Sequence, residues 1–197
     1  MTDGAGAVGA VLAGGRSRRM ESPKALVELA GRPLIAHVLA AVEAASLEPM
    51  VVAKPDSLLP SVSCRVLREP AEPIHPLQGL LTALAASGGR PVVALACDMP
   101  FVPPGLLEWL AGLDGGAVVV ESGGRVQPLL ARYEPTVAPA LEAALARGAP
   151  VQDAVSGLDP RIVTETELAR FADPELICLN VNTPADLERA AAVIAGG

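Results

Sequence analysis

The segment Pro91-Val92-Val93-Ala94-Leu95-Ala96-Cys97-Asp98 constrains this chain most, because an apolar run of strand length ends abruptly on a carboxylate. A strand with one wet face alternates apolar and polar residues. A run without alternation instead suits a parallel strand covered on both faces. A second such run, Ala7-Val8-Gly9-Ala10-Val11-Leu12, stands near the start and breaks at Ala13-Gly14-Gly15. Strand-like and helix-like stretches then alternate from residue 7 to residue 113. That order predicts an α/β fold of three layers, Rossmann-like, around a mostly parallel central sheet. The extended stretches 118–121 and 125–133 flank Ser122-Gly123-Gly124, a hairpin signal that adds an antiparallel piece. At 197 residues the chain reads as a single domain, 1–197.

Smaller elements follow from local chemistry. Leu26-Val27-Glu28-Leu29 reads as a short extended piece, Ala30-Gly31-Arg32 as a turn, and 33–42 as a helix opened by Pro33. A strand is expected at 49–53, a short helix capped by Asp56, a brief strand at 64–67, and a proline-rich loop at 69–76. Helices are expected at 77–86, after Pro103-Pro104, at 135–146 and at 151–155, with late strands at 161–164 and 176–179. In the closing Asn180-Val181-Asn182-Thr183-Pro184-Ala185-Asp186, Thr183 caps a helix, Pro184 takes its first position and Asp186 favours its positive end.

Composition excludes several classes of function. A net charge of -7 argues against a sequence-independent grip on nucleic acid, and 2% aromatic residues leave few stacking platforms. No apolar run reaches the length of a membrane span, although 51% of the residues are hydrophobic. The opening residues include Asp3 and lack a basic stretch, so a secretory signal is not expected and the cytoplasm is. Cys64, Cys97 and Cys178 are odd in number and read as buried, reduced thiols. His37 and His75 are the only histidines, too few for a zinc cluster, and His37 falls in a helical apolar pattern as a core or surface residue.

Chemistry concentrates in Leu12-Ala13-Gly14-Gly15-Arg16-Ser17-Arg18-Arg19-Met20-Glu21-Ser22-Pro23-Lys24. Adjacent glycines let a ligand descend onto the main chain, and Arg16, Arg18, Arg19 and Lys24 place four positive charges beside it. That charge answers a nucleoside triphosphate, each charge-assisted hydrogen bond contributing about 1.5–3 kcal/mol. The loop is not a Walker A motif, and Gly4-x-Gly6-x-x-Gly9 is a chance match to a dinucleotide fingerprint because no strand precedes it. Lys24 and Lys54 are the only lysines against thirteen arginines, so a lysine at the cradle is informative. In open α/β sheets ligands lie beyond the carboxyl ends of the strands, which sets Asp98 beside the cradle. A carboxylate near a triphosphate makes sense as a Mg²⁺ ligand; the plainer reading is a cap or turn acceptor. Asn180 and Asn182 are expected as strand-end amides that hydrogen-bond a ligand.

Together, Leu12-Ala13-Gly14-Gly15 with Arg18-Arg19-Met20 and Lys24, Pro76-Leu77-x-Gly79, Asp98-Met99-Pro100, Gln127-Pro128-Leu129 with Tyr133, and Asn180-Val181-Asn182-Thr183-Pro184 resemble one family. It is the molybdenum cofactor guanylyltransferases, the MobA family of the glycosyltransferase-A-like nucleotidyltransferases, and the motifs cover nearly the whole chain in order. The resemblance implies transfer of GMP from MgGTP to the terminal phosphate of molybdopterin, or of its molybdenum form, with release of pyrophosphate. It also implies contact with the molybdenum-insertion enzyme. By the same resemblance, Leu12, Ala13, Gly14 and Gly15 meet the base, Arg19 and Lys24 steady the triphosphate, and Asp98 holds Mg²⁺. Arg16, Ser17, Glu69 and Gly79 complete the nucleotide site, and Gln127, Asn180 and Asn182 fall to the acceptor.

Cytidylyl relatives usually carry Leu-Ala-Ala-Gly where this chain has Leu12-Ala13-Gly14-Gly15, which points to guanine. Four positions depart from the family's usual residues: Glu21 for glycine, Pro23 for aspartate, Ala53 for asparagine and Glu69 for aspartate. A cytidylyltransferase or other nucleotidyltransferase of the same fold, and a non-catalytic GTP-binding protein, stay open as alternatives.

Overall fold

The structure is a computed structural model that describes residues 6–14 and 23–196. The two apolar runs become adjacent central strands. β1 (Val8–Leu12) is buried at every position, and the later run pairs with it in parallel, Val8 against Val92 and Leu12 against Ala96. Between them come the small hairpin β2 (Glu28–Leu29) and β3 (Arg32–Pro33), α1 (Leu34–Ala44), β4 (Glu48–Ala53), β5 (Arg65–Arg68) and α2 (Pro76–Ala86). The later run itself is β6 (Val92–Ala96), followed by α3 (Pro104–Ala111), β7 (Ala117–Ser122) and β8 (Arg125–Tyr133). Beyond these lie α4 (Ala138–Ala146), α5 (Val151–Ser156), β9 (Arg161–Val163), α6 (Glu165–Leu168), α7 (Pro174–Ile177) and α8 (Pro184–Gly196).

The main sheet has the order β5-β4-β1-β6-β8-β7-β9. Its first four strands are mutually parallel, β8 runs antiparallel to β6 and β7, and β9 returns parallel to β7. The chain therefore moves outward from β1 through β4 to β5, then crosses back to place β6 on the other side of β1. A crevice opens where the strand order reverses, above the carboxyl ends of β1 and β6.

Period-two alternation divides the strand residues between two cores. Val11, Val51, Val93 and Leu95 pack with Ile35, Val38 and Val42 of α1 and with Leu106, Leu107 and Leu110 of α3. Ala10, Val52, Val92 and Ala94 pack instead with Leu77 and Leu80 of α2, Leu141 of α4 and Val155 of α5. Helices on both faces of the sheet make three layers. Pro33 offers α1 no side-chain cap. The missing cap costs about 1 kcal/mol, against roughly 1.5–3 kcal/mol for each large apolar side chain buried, so packing decides that helix.

A third cluster joins Val27, Leu29 and Leu34 to Leu179, Val181 and Ala190. It ties the small hairpin after the glycine loop to the end of the chain. His37 serves the same region, its Nε2 meeting the Leu29 carbonyl at 2.9 Å. That makes it a structural histidine.

Two expected elements differ. Residues 176–179 form no strand: Asp173 accepts a hydrogen bond from the Glu175 amide, Pro174 takes the first position, and one helical turn closes as Cys178 N donates to Pro174 O at 3.1 Å. A four-residue apolar run has too little period to separate strand from helix. No helix follows Asp56 either; a turn forms there as Ser57 N donates to Lys54 O at 3.1 Å. Of the cysteines, Cys97 is buried, whereas Cys64 and Cys178 are half-buried, and all three are free thiols. No described helix is long and apolar enough to cross a membrane.

Candidate functional site

A cavity of about 300 Å³ occupies the crevice at the strand reversal, lined among others by Leu12, Gly14, Lys24, Lys54, Glu69, Gly79, Asp98 and Asn180. Each reaches it for a local reason. Leu12 ends β1, and Asp98 follows the end of β6, where Cys97 N still donates to Leu12 O at 3.1 Å. Lys54 follows β4 and Glu69 follows β5, with Glu69 N bonded to Ala53 O at 3.0 Å. Four successive strand ends thus deliver four side chains to one edge. Lys24 arrives on a single helical turn, Lys24–Leu26, whose Ala25 is buried.

One end of the cavity is an ionic cluster. Lys24 Nζ lies 2.6 Å from Asp98 Oδ2 and also donates to Asn182 Oδ1. Asp98 is only 6% exposed, so this is no surface ion pair. Asn182 is brought in by Val181, which is fully buried and donates its amide to Asp98 O at 2.9 Å. With Val181 pinned inward, the asparagines on either side are available to the site. Asn180 lines the cavity and donates to Cys178 O at 3.0 Å. Thr183 acts as the helix cap, its Oγ1 accepting from the Asp186 amide at 3.2 Å. Asp186 Oδ2 in turn accepts from the Asn182 and Thr183 amides, and these bonds hold its carboxyl below the usual range.

The other end is a buried carboxylate. Glu69 is 5% exposed, its Oε1 lies 3.7 Å from Lys54 Nζ, and its Oε2 has no hydrogen-bond partner. Burial pushes its carboxyl above the usual range, and the Lys54 ammonium opposes that rise. The glycines of two motifs are explained here. A Cβ on Gly14 would stand 2.3 Å from Glu69 Oε1, and one on Gly79 would stand 2.9 Å from Leu12 Cδ2 and 3.3 Å from Glu69 Oε2. Only glycine leaves room for the carboxylate and for Leu12.

His75 caps α2, its Nδ1 accepting from the Leu77 amide at 3.2 Å, which assigns the ring proton of the neutral form to Nε2. Cys97 beside Asp98 is no nucleophile: burial, aided by the Asp98 charge, pushes its thiol up to about 12.

Among the described residues, no three or more His, Cys, Asp or Glu side chains are grouped to hold a metal by themselves. Asp98 and Asn182 nevertheless direct two oxygens at one cation, the Lys24 ammonium. Such a donor set fits Mg²⁺, which keeps several waters and uses one or two carboxylates together with substrate phosphates.

Of the residues singled out in the sequence, Leu12, Gly14, Lys24, Glu69, Gly79, Asp98 and Asn180 line this cavity, and Asn182 joins it through Lys24. Ala13 continues β1, its amide bonded to Val52 O at 2.8 Å, with its side chain in the core below. Gly15, Arg16, Ser17 and Arg19 lie outside the described residues. Gln127 does not line this cavity: Leu129 supplies the wall from β8, and Gln127, across an irregularity in the β7–β8 pairing, donates to Arg125 O at 3.4 Å. Asn180 and Asn182 follow a helical turn rather than a strand. Lys54 was missed as a site residue, although its signal was available, since both lysines of an arginine-rich chain line the same cavity.

A doubly wound sheet with paired lysines and carboxylates in the crevice at its strand reversal defines a nucleotide-binding α/β protein. Residues 9–159 match the model of the MobA-like NTP transferase domain. The chain belongs to that family. It is 37% identical over 193 residues to the molybdenum cofactor guanylyltransferase of Cereibacter sphaeroides, covering 94% of this chain and 96% of that one. Identity to a probable molybdenum cofactor guanylyltransferase of Pelotomaculum thermopropionicum is 33% over 187 residues, covering 93% of this chain and 91% of that one. Among solved structures, molybdopterin-guanine dinucleotide biosynthesis protein A from Archaeoglobus fulgidus superposes with a TM-score of 0.80 at 27% identity, over 96% of this chain and 99% of that one.

Proposed function

We propose that this chain, as a single domain over 1–197, is a molybdenum cofactor guanylyltransferase. It would join GMP from GTP to the terminal phosphate of molybdopterin, or of its molybdenum form, and release pyrophosphate. The relatives named above support the reaction, and one observation carries the site. Lys24 and Asp98, 74 positions apart, meet at 2.6 Å beyond the ends of β1 and β6, in the same cavity as Glu69, whose Oε2 has no hydrogen-bond partner.

The reaction needs no strong base. A phosphate monoester has its second pKa at about 6, so the acceptor oxygen is already largely ionised at neutral pH. That oxygen attacks the α-phosphorus of GTP in line; a new P–O bond forms as the bond from the α-phosphorus to the bridging oxygen breaks, and pyrophosphate carries off the electron pair. Lys24 would leave Asp98 for the phosphate oxygens, where its charge answers what develops on the leaving group. Asp98 and Asn182 would then hold Mg²⁺, a Lewis acid for the phosphate oxygens. Asn180 would steady the acceptor at the rim, and Gly14 with Leu12 would admit the base to the main chain. Gly15 would join them at the base, and Arg16, Ser17 and Arg19 would serve the nucleotide, Arg19 at the triphosphate. Cytoplasmic residence fits the free thiols.

Guanine is favoured over cytosine by Glu69. An ionised carboxyl is acceptor-only, which matches the adjacent N1–H and N2–H₂ donors of guanine, whereas cytosine offers one donor beside an acceptor. The test is incubation with molybdopterin and each of the four nucleoside triphosphates in Mg²⁺, reading pyrophosphate and the mass of the product. A guanine dinucleotide formed from GTP alone is expected. Product from CTP, or GTP binding without turnover in the presence of acceptor, overturns the reading in favour of a cytidylyltransferase or a non-catalytic binding protein.

A further inference from the structure

We propose that Lys54 is a positioning residue for base selection, holding Glu69 as a pair of ionised acceptors so that the cavity prefers guanine. The proposal rests on the guanine reading above, and it adds a residue that never touches the base.

Lys54 has more to hold than one carboxylate. Its Nζ donates to Pro70 O at 2.7 Å and to Pro73 O at 3.1 Å, and faces Glu69 Oε1 at 3.7 Å. One ammonium from the end of β4 therefore fastens both the loop that follows Glu69 and the charge on Glu69. The side chain is almost fully enclosed, so its charge is weakly screened by water. Glu69 lines the cavity, and its Oε2 is buried without a hydrogen-bond partner. An orphan acceptor of that kind is costly unless a ligand donor completes it. Gly14 lies against one oxygen of the carboxylate and Gly79 against the other.

The protonation state of Glu69 decides what it reads. Ionised, it presents two acceptors; protonated, or replaced by an amide, it presents one acceptor and one donor. The second pattern suits xanthine, whose N1–H adjoins a carbonyl where guanine has its amino group. Burial already favours the protonated form, and the Lys54 ammonium is the opposing influence. The other charged or titratable groups lining the cavity among the described residues are Lys24, His75, Cys97 and Asp98.

Equilibrium binding of GTP, ITP and XTP to the full chain tests this, using the native protein, Lys54→Met, Glu69→Gln and the double variant. The native protein should prefer GTP to both analogues by about tenfold or more, as loss of a hydrogen bond to a charged acceptor predicts. Glu69→Gln and Lys54→Met should each lower the GTP-to-XTP ratio by about tenfold, and the double variant should lower it no further than Glu69→Gln. Lys54→Gln, which keeps a donor for Pro70 without the charge, should behave as Lys54→Met does and serves if the latter fails to fold.

Weakening of GTP and XTP by one common factor in Lys54→Met overturns the proposal, because a loop staple or a phosphate contact would act on both alike. Independent, additive effects of the two substitutions on the ratio overturn it as well. If the native protein itself shows no preference for GTP, the guanine reading fails and this proposal falls with it. A native preference that survives Lys54→Met sinks this proposal alone.

Discussion

Two lysine–carboxylate pairs face the same cavity, yet they are built for different work. Lys24 and Asp98 touch at 2.6 Å, and the lysine side chain is the more exposed of the two, at 19% against 9%. Its other described bond is to Asn182, a side chain. Lys54 and Glu69 stand 3.7 Å apart, but Lys54 is fastened to two main-chain carbonyls and both partners are enclosed. A pair whose lysine, among the described residues, bonds side chains can exchange partners when charged phosphates arrive, whereas one bonded to a loop's backbone cannot leave without moving the loop. The first pair suits chemistry in which charge shifts during the reaction, and the second suits selection by a fixed acceptor.

The comparison breaks most visibly at Asp98. Asp98→Asn should reduce pyrophosphate release by roughly 10³-fold or more under saturating GTP and acceptor, as expected when an electrostatic organiser of a transition state is lost. Near-native release would leave the Lys24 end without a catalytic part. Lys24→Ala comes next, with kcat down about 10²-fold and KM for GTP up by less than tenfold. Steady-state kinetics showing the reverse split would make Lys24 a binding group and erase the distinction drawn above.

The base end should respond in the opposite sense. Gly14→Ala puts a Cβ 2.3 Å from Glu69 Oε1, so the carboxylate must shift. KM for GTP should rise about tenfold while kcat holds, the signature of lost uniform binding. A large fall in kcat would show that the two ends are not separable.

The smallest effect is on stability. Burial raises the Glu69 carboxyl above its ordinary 4.5, so the folded protein holds that proton more tightly than the unfolded chain does. The associated stability is complete below 4.5 and is lost as pH rises through the folded value. Glu69→Gln removes this dependence. Thermal melts should therefore show the variant gaining on the native protein by a few degrees as pH rises from 4.5 upward. A constant difference between the two at every pH would count against a strained carboxylate at the base end.

Much of the sheet was legible because its evidence is local. An apolar run without alternation can become a buried strand, and both runs did, with Asp98 just past the end of one of them. The cap at Thr183 was equally plain, since a side chain three residues from its partner needs no tertiary contact to find it. Residues 176–179 failed for the converse reason: four apolar residues fit either period, and the turn chemistry of Asp173-Pro174 decided the matter.

What the chain alone determined, then, was which of its longer apolar runs are strands, where they stop and which charged residues stand at the stops. Only the tertiary structure decided that β6 returns to the far side of β1, bringing together Lys24, Asp98 and Asn182 from three separate segments, and that Lys54 and Glu69 close the opposite wall. Periodicity and capping act over one or two turns of chain. Strand order is settled by the joint packing of two helical layers, so the distance between side chains scores of residues apart is a property of the whole fold.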